Sequence, residues 1–301
     1  MGKALSFVCQ KGGVAKTFSC WALACEFAGR GLKILAVDGD PQSTLTSRFI
    51  DNSRELPLTL LNLMEAVMND RVEKEPDGSV SYYEDFIFED EDSDGKKFRR
   101  AERVSYTAKD VIVETPSGVD LLPSVSEMNG IDISLVSANN REYVLKKILA
   151  EVKDDYDYIL IDCSPYLGLM TVNVLTASDA VVIPHSGTPE ANEGFGYLID
   201  TIERTKRNLN PDLEIDGVLF TLIMTNEKMQ RLILEAAAQE SFERGVYVYP
   251  VLVPRTAEAA RAIAMGIPLE EGCPKNKTTI AYRRVADDFL ESEEAEAARE
   301  N

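Results

Sequence analysis

Three consecutive segments constrain this chain more than any other: an apolar run from Ala4 to Cys9, the turn Gln10-Lys11-Gly12-Gly13-Val14-Ala15-Lys16-Thr17, and an apolar stretch from Phe18 to Ala28. The pattern predicts a buried strand, a glycine loop and a buried helix. A loop that cradles phosphates needs glycines so that successive backbone N–H groups turn inward. It also needs a lysine to neutralise the phosphates and a hydroxyl to reach their metal. Gly12, Gly13, Lys16 and Thr17 supply all of these. A plain glycine turn at a helix start is the competing reading, and it gives Lys16-Thr17 no purpose.

The rest of the chain repeats the alternation. Leu32 to Val37 is an apolar run ending in Asp38-Gly39-Asp40-Pro41, and Tyr158 to Ile161 is another ending in Asp162. Val119 to Leu122, Ala180 to Ile183, Gly217 to Ile223 and Val246 to Val253 also read as strands. Helical stretches lie at Tyr143 to Val152, Gly194 to Asn208 and Met229 to Arg244. Strands alternating with helices predict an α/β, doubly wound, mostly parallel sheet with helices on both faces. Ligands then gather at the carboxyl ends of the strands, where Asp38, Asp40 and Asp162 fall.

The expected organisation is a single domain over 1–290 with an insertion at about 69–105 and an acidic tail at 291–301. The insertion is polar, carries turn signals at Pro76-Asp77-Gly78 and Ser93-Asp94-Gly95, and exceeds the usual loop length. Its centre, Tyr82 to Phe88, predicts a hairpin strand, with a partner-binding element as the alternative. The tail predicts a solvated, frayed helix end.

The formal net charge of -19 is uneven. Glu84 to Asp94 holds acidic side chains and no basic one, and Asp287 to Asn301 is nearly as one-sided. An acidic chain lacks the broad field that drives nonspecific DNA binding, so any such binding needs a local basic patch. The five cysteines form no CxxC pair, which argues against a disulfide framework or zinc ribbon. One histidine, His185, builds neither a metal site nor a Ser-His-Asp set and reads as a strand-end residue. With no long apolar span or secretory signal in view, a cytoplasmic location is expected.

The loop departs from the strict phosphate-binding pattern: Gln10 replaces its first glycine, and Ala15 precedes the lysine. In this form it resembles the deviant loop of the ParA/MinD family, with Lys11 as the extra signature lysine. Val37-Asp38-Gly39-Asp40-Pro41-Gln42 resembles the family's second motif, and Tyr156 to Pro165, with Asp162, its third. The likeness runs on through Gly118 to Pro123, Leu167 to Thr171, Asp179 to Pro184 and Val253-Pro254-Arg255, covering the chain from Lys3 to about Phe289 apart from the insertion.

The resemblance implies a P-loop ATPase using ATP and magnesium. Lys11, Lys16 and Asp40 take the catalytic roles, Asp40 orienting the attacking water and Lys11 reaching the partner's phosphates in a nucleotide-sandwich dimer. Nucleotide contacts come from Lys11, Gly12, Gly13, Val14, Ala15, Lys16, Thr17 and Phe18, with Pro254 and Arg255 on the adenine side. Thr17, Asp38 and Asp162 serve the metal. Glycine is usual in the family where Ala15 stands, and Cys163 reads as a buried filler. Arg261-Ala262 departs from the Glu-Ala common in chromosomal members.

Gln10 with Asp40-Pro41-Gln42 lies closer to ParA than to MinD. The implied function is a partition or positioning ATPase that dimerises on ATP, binds nonspecific DNA and so associates with the nucleoid. A ParB-like or other cargo adaptor stimulates its hydrolysis. Candidate DNA contacts are Arg255, Arg261, Lys275, Lys277, Arg283 and Arg284. The alternative, a MinD-like membrane-associated ATPase, requires a basic amphipathic terminal helix, whereas Glu291 to Glu296 is acidic. An iron-sulfur carrier of the same superfamily needs paired cluster cysteines, which the sequence lacks.

Overall fold

The computed structural model describes residues 2–50, 56–91, 97–224 and 227–300. Strand β1 (Lys3–Phe7) leads into helix α1 (Lys16–Gly29), then β2 (Ile34–Gly39), the short α2 (Thr46–Phe49) and α3 (Leu60–Met68). The insertion holds β3 (Val72–Lys74), β4 (Val80–Glu91) and β5 (Lys97–Tyr106), followed by α4 (Ala108–Val111) and β6 (Val113–Glu114). Next come β7 (Asp120–Leu122), α5 (Ile131–Val136), α6 (Val144–Ala150), β8 (Tyr158–Cys163), α7 (Leu169–Ala177) and β9 (Ala180–His185). The chain ends through α8 (Pro189–Glu193), α9 (Phe195–Asn208), β10 (Glu214–Phe220), α10 (Lys228–Glu243), α11 (Ala257–Ala264), α12 (Leu269–Gly272) and α13 (Lys277–Glu300).

Seven strands form the main sheet in the order β10-β9-β1-β8-β2-β7-β6, every neighbouring pair parallel except β6 with β7. Strands β1, β2, β8 and β9 are apolar along almost their whole length because both faces are covered. One face packs on α3, α6, α7 and α9, and the other on α1, α11 and α13. The register sets Phe7 beside Asp162 and Asp162 beside Asp38, so the apolar runs that end in carboxylates finish side by side.

One sequence expectation needs correction. Val246 to Val253 is not a continuous strand; it meets β10 through the bridge Val218–Val248 and a bond from the Val253 N–H to the Phe220 carbonyl at 2.9 Å, with a second bridge, Ile223–Pro254, just beyond. Pro250 and Pro254 lack the N–H groups a continuous ladder requires. Helix α13 runs through 290/291 without a break, and Glu293 pairs with Lys3.

The insertion folds as a separate three-stranded antiparallel sheet, β3-β4-β5. The turn at Pro76-Asp77-Gly78 joins β3 to β4, whereas Ser93-Asp94-Gly95 lies outside the described residues. The register places Asp85 opposite Arg103, Glu89 opposite Arg99 and Glu91 opposite Lys97. Asp85 and Arg103 meet across the ladder at 3.6 Å. Opposite charges across a ladder favour the pairing. Arg103 also meets Glu73 at 3.2 Å and lies 4.0 Å over the Tyr83 ring.

Candidate nucleotide site

The loop Val8–Ala15 leaves the carboxyl end of β1 and delivers Lys16 to the first turn of α1. That end of a helix carries unpaired N–H groups and a positive partial charge. Gly13 adopts φ 77°, a conformation open to glycine. Ala15 adopts φ 64° and ψ 30°, the same left-handed region, where its methyl group is strained. The glycine usual in the family would sit there without penalty. The hydroxyl of Thr221, just past β10, donates to the Val14 carbonyl at 2.9 Å and ties the loop to the sheet.

Lys16 is 6% exposed, and its ammonium donates to the Lys11 carbonyl at 3.0 Å. Lys11 is exposed, and among the described residues no acidic side chain pairs with it. The Phe18 ring meets Tyr282 edge-on at 5.1 Å, while its backbone lies in the first turn of α1.

Three carboxylates converge from β2 and β8. Asp38 is fully buried: one oxygen accepts from the Asp40 N–H at 3.1 Å, the other from the Thr46 N–H and hydroxyl, both at 2.7 Å. Burial raises its pKa to about 6 despite those bonds. A carboxylate offers about four lone-pair sites, so one is left for a metal-bound water. Asp40 is 7% exposed and accepts from the Gln42 N–H at 2.9 Å. Its carbonyl accepts from the Ser124 hydroxyl at 2.9 Å, and the Ser124 N–H donates to the Thr46 hydroxyl at 3.0 Å. Thr46 and Ser124 therefore hold the Asp38–Asp40 turn. Sequence reading missed both, since single hydroxyls carry no signal for pairing across such separations.

Asp162 differs from its neighbours, because both its oxygens are buried and neither receives a hydrogen bond. Burial, followed by the Asp38 charge, raises its pKa to about 8, while Thr17 and Lys16 favour the ionised form. Leaving a buried polar group unmade is costly, so a cation belongs here. Magnesium fits, since it keeps several waters and takes few protein ligands. Asp162 and Thr17 are the groups that would hold it, supplying charge neutralisation for phosphoryl transfer. Among the described residues, no three His, Cys, Asp or Glu side chains gather as a cage that would hold a metal without phosphates. At Gly39 a Cβ would stand 2.7 Å from the Asp162 carbonyl oxygen, so only glycine allows β2 and β8 to approach here.

The neighbouring residues are structural. Cys163 is buried against the Thr171 hydroxyl at 3.4 Å with its thiol pKa pushed up to about 12, too high for an exchange-active thiol. His185 is buried edge-on to Phe195 and Phe220, accepts from the Gly187 N–H at 3.1 Å, and is held neutral by burial that lowers its pKa to about 4. Asp132 of α5 accepts from the Met170 N–H at 2.8 Å, capping α7 just beyond the Asp162 strand.

The basic candidates do not gather at one place. Arg255 lines a cleft of about 260 Å³ with Gly13, beside Pro254, which bridges to Ile223. Arg261 and Lys275 line another of about 530 Å³. Lys277 and Arg284 are exposed on α13, and Arg283 is held bidentately by Glu270 at 2.6 Å.

Residues 2–215 match the family described as AAA domain. The chain is 31% identical to the sporulation initiation inhibitor protein Soj of Bacillus subtilis, covering 95% of this chain and 97% of that protein. It is 32% identical to the chromosome-partitioning ATPase Soj of Treponema pallidum, covering 96% and 98%. The fold matches a structure of cobyrinic acid a,c-diamide synthase from Mycobacterium smegmatis with bound ATP analog and magnesium. Its TM-score is 0.74 at 28% identity over 96% of this chain and 94% of that one. A putative plasmid partition protein from Borrelia burgdorferi bound to AMPPNP shares the fold, with TM-score 0.69 at 20% identity over 97% and 100% of the two chains. Loop, strand-end carboxylates and relatives agree: the chain belongs to the AAA-domain family as a ParA/Soj-type partition ATPase, a P-loop enzyme that hydrolyses ATP with magnesium.

Proposed function

We propose that this ATPase is a positioning switch in which ATP seals a homodimer through Lys11, the dimer binds DNA of any sequence, and a ParB-like or other cargo adaptor stimulates hydrolysis and release. The observation that supports it best is Lys11, an exposed cation beside the phosphate loop with no acidic partner among the described residues. Lys16 already lies inside the loop to meet the chain's own nucleotide. A second, outward cation suits phosphates brought by another copy. In this reading Asp40 orients the attacking water, Thr17, Asp38 and Asp162 serve magnesium, and Pro254 and Arg255 face the adenine.

DNA binding rests on Arg255, Arg261, Lys275, Lys277 and Arg284, all exposed; Arg283 is the weakest member because Glu270 neutralises it. The location that follows is the cytoplasm, on the nucleoid. Among the described residues no helix is long and apolar enough to cross a membrane.

Light scattering in the presence of ATP tests the switch. Asp40→Ala should give a long-lived dimer, while Lys11→Ala should bind ATP and stay monomeric. A Lys11→Ala protein that dimerises like the parent would sink the proposal. Retention on random-sequence DNA should need ATP and fall as salt is raised.

A further inference from the structure

A cleft of about 890 Å³ lies far along the chain from the nucleotide loop, where the inserted sheet leans on the body. Its first wall is one face of that sheet. Val72 sits opposite Tyr82 and Lys74 opposite Val80, so all four line it together. The second wall comes from the end of α3, the start of α4 and the end of α6, through Val67, Ala108 and Ala150, with Val152 just beyond α6. At the base Tyr82 is fully buried and its hydroxyl donates to the Glu151 carboxylate. The sheet face is thus closed below and left open above, with Val72 and Val80 only partly covered.

Three lysines, Lys74, Lys109 and Lys147, ring this apolar cleft in a chain of net charge -19. Lys109 pairs with Asp155 at 2.7 Å; Lys74 and Lys147 have no acidic partner among the described residues. The cleft's own acids oppose them weakly, since Glu151 is engaged by Tyr82 and Asp70 lies exposed at the rim. The volume falls in the range of small-molecule sites, roughly 300–1,000 Å³, which are mostly apolar with a few polar groups that fix orientation.

We infer that this cleft binds an amphipathic organic anion, a free small molecule whose apolar body lies between the inserted sheet and α6 and whose carboxylate, phosphate or sulfonate meets Lys74 and Lys147. Nothing in the nucleotide reading requires or supplies such a site, and the two stand or fall separately.

Anilinonaphthalene sulfonate, an aromatic body with one sulfonate, is the probe, titrated by fluorescence into the full chain with saturating ATP and magnesium to occupy the phosphate loop. Saturable binding at a single site is expected, displaced by free decanoate and about ten-fold less well by uncharged decanol. Val80→Trp, which fills the cleft, should abolish it. Lys74→Glu with Lys147→Glu, on exposed positions that leave folding intact, should weaken it about ten-fold. Equal dye binding by the parent and the double variant would overturn the inference whether or not Val80→Trp folds. So would absence of binding, or association with phosphatidylglycerol vesicles without displacement by free decanoate.

Discussion

The nucleotide end of the main sheet and the inserted sheet treat buried polar groups in opposite ways. Around the inserted sheet, the half-buried acids are matched: Tyr82 donates to Glu151, Tyr106 donates to Glu84 at 3.1 Å, and Asn62 donates to Glu84 at 3.0 Å. At the nucleotide end, Asp38 accepts three hydrogen bonds, whereas neither oxygen of Asp162 beside it receives one. Matched groups hold structure together. An unmatched one, kept at the carboxyl edge of a parallel sheet beside a phosphate loop, suits a bound cation.

The comparison breaks most visibly at Lys16. Lys16→Ala removes the one buried cation of the loop and should weaken ATP binding by about a hundred-fold, on the order of 3 kcal/mol, measured by calorimetry. Folding should survive, because Lys16 bonds only the loop's own Lys11 carbonyl in the free protein.

Asp162→Asn tests the unmatched side directly. A carboxyl whose folded pKa is raised to about 8 stabilises the protein at low pH and costs stability as pH climbs from the unfolded value toward 8. Free of ligand at pH 8, the Asp162→Asn variant should therefore melt higher than the parent, by about 1–3 kcal/mol or several degrees. It should also lose the further rise that magnesium with ATP gives the parent. A lower melting point for the free variant would mean that Asp162 has a structural partner after all.

The matched side should respond in the opposite sense. Tyr82→Phe leaves Glu151 half-buried without its donor and should lower stability by about 1 kcal/mol, or about two to four degrees in Tm. Glu151 itself has its pKa raised to about 7 by burial, so its contribution to stability falls as pH rises from the unfolded value near 4.5 through 7. Glu151→Gln keeps an acceptor for Tyr82 and cannot ionise. The difference in melting temperature between pH 5 and pH 8 should accordingly narrow, with the gain on the alkaline side.

What was legible in the sequence was local. Glycines before Lys16-Thr17 and apolar runs ending in Asp38, Asp40 and Asp162 signal phosphate chemistry because strand, turn and side chain are neighbours along the chain. The register that aligns Asp38 with Asp162 followed from the doubly wound fold. Thr46 and Ser124 escaped notice because they act on the Asp40 turn through bonds formed only after folding. The neutralisation of Arg283 depends on Glu270 arriving from α12, and the missing strand at Val246 to Val253 depends on Pro250 outweighing an apolar composition. The cleft behind the insertion has no sequence signature, since its lysines come from β3, α4 and α6.

Ala15 is the smallest and sharpest test, because the same loop that leaves a binding group unmatched also holds a backbone strain. An alanine at φ 64° costs roughly 1 kcal/mol relative to its right-handed conformation, and glycine adopts that angle freely. Glycine also gains freedom in the unfolded chain, which offsets part of the relief. Ala15→Gly should then raise stability by about 0.5 kcal/mol, or about one to two degrees in Tm, without altering the loop's contacts. If instead the strain develops only when phosphates draw the loop inward, the free protein's Tm should stay fixed and the gain should appear with ATP and magnesium bound. Melting the two proteins with and without nucleotide separates these cases and shows whether the loop is strained before its ligand arrives.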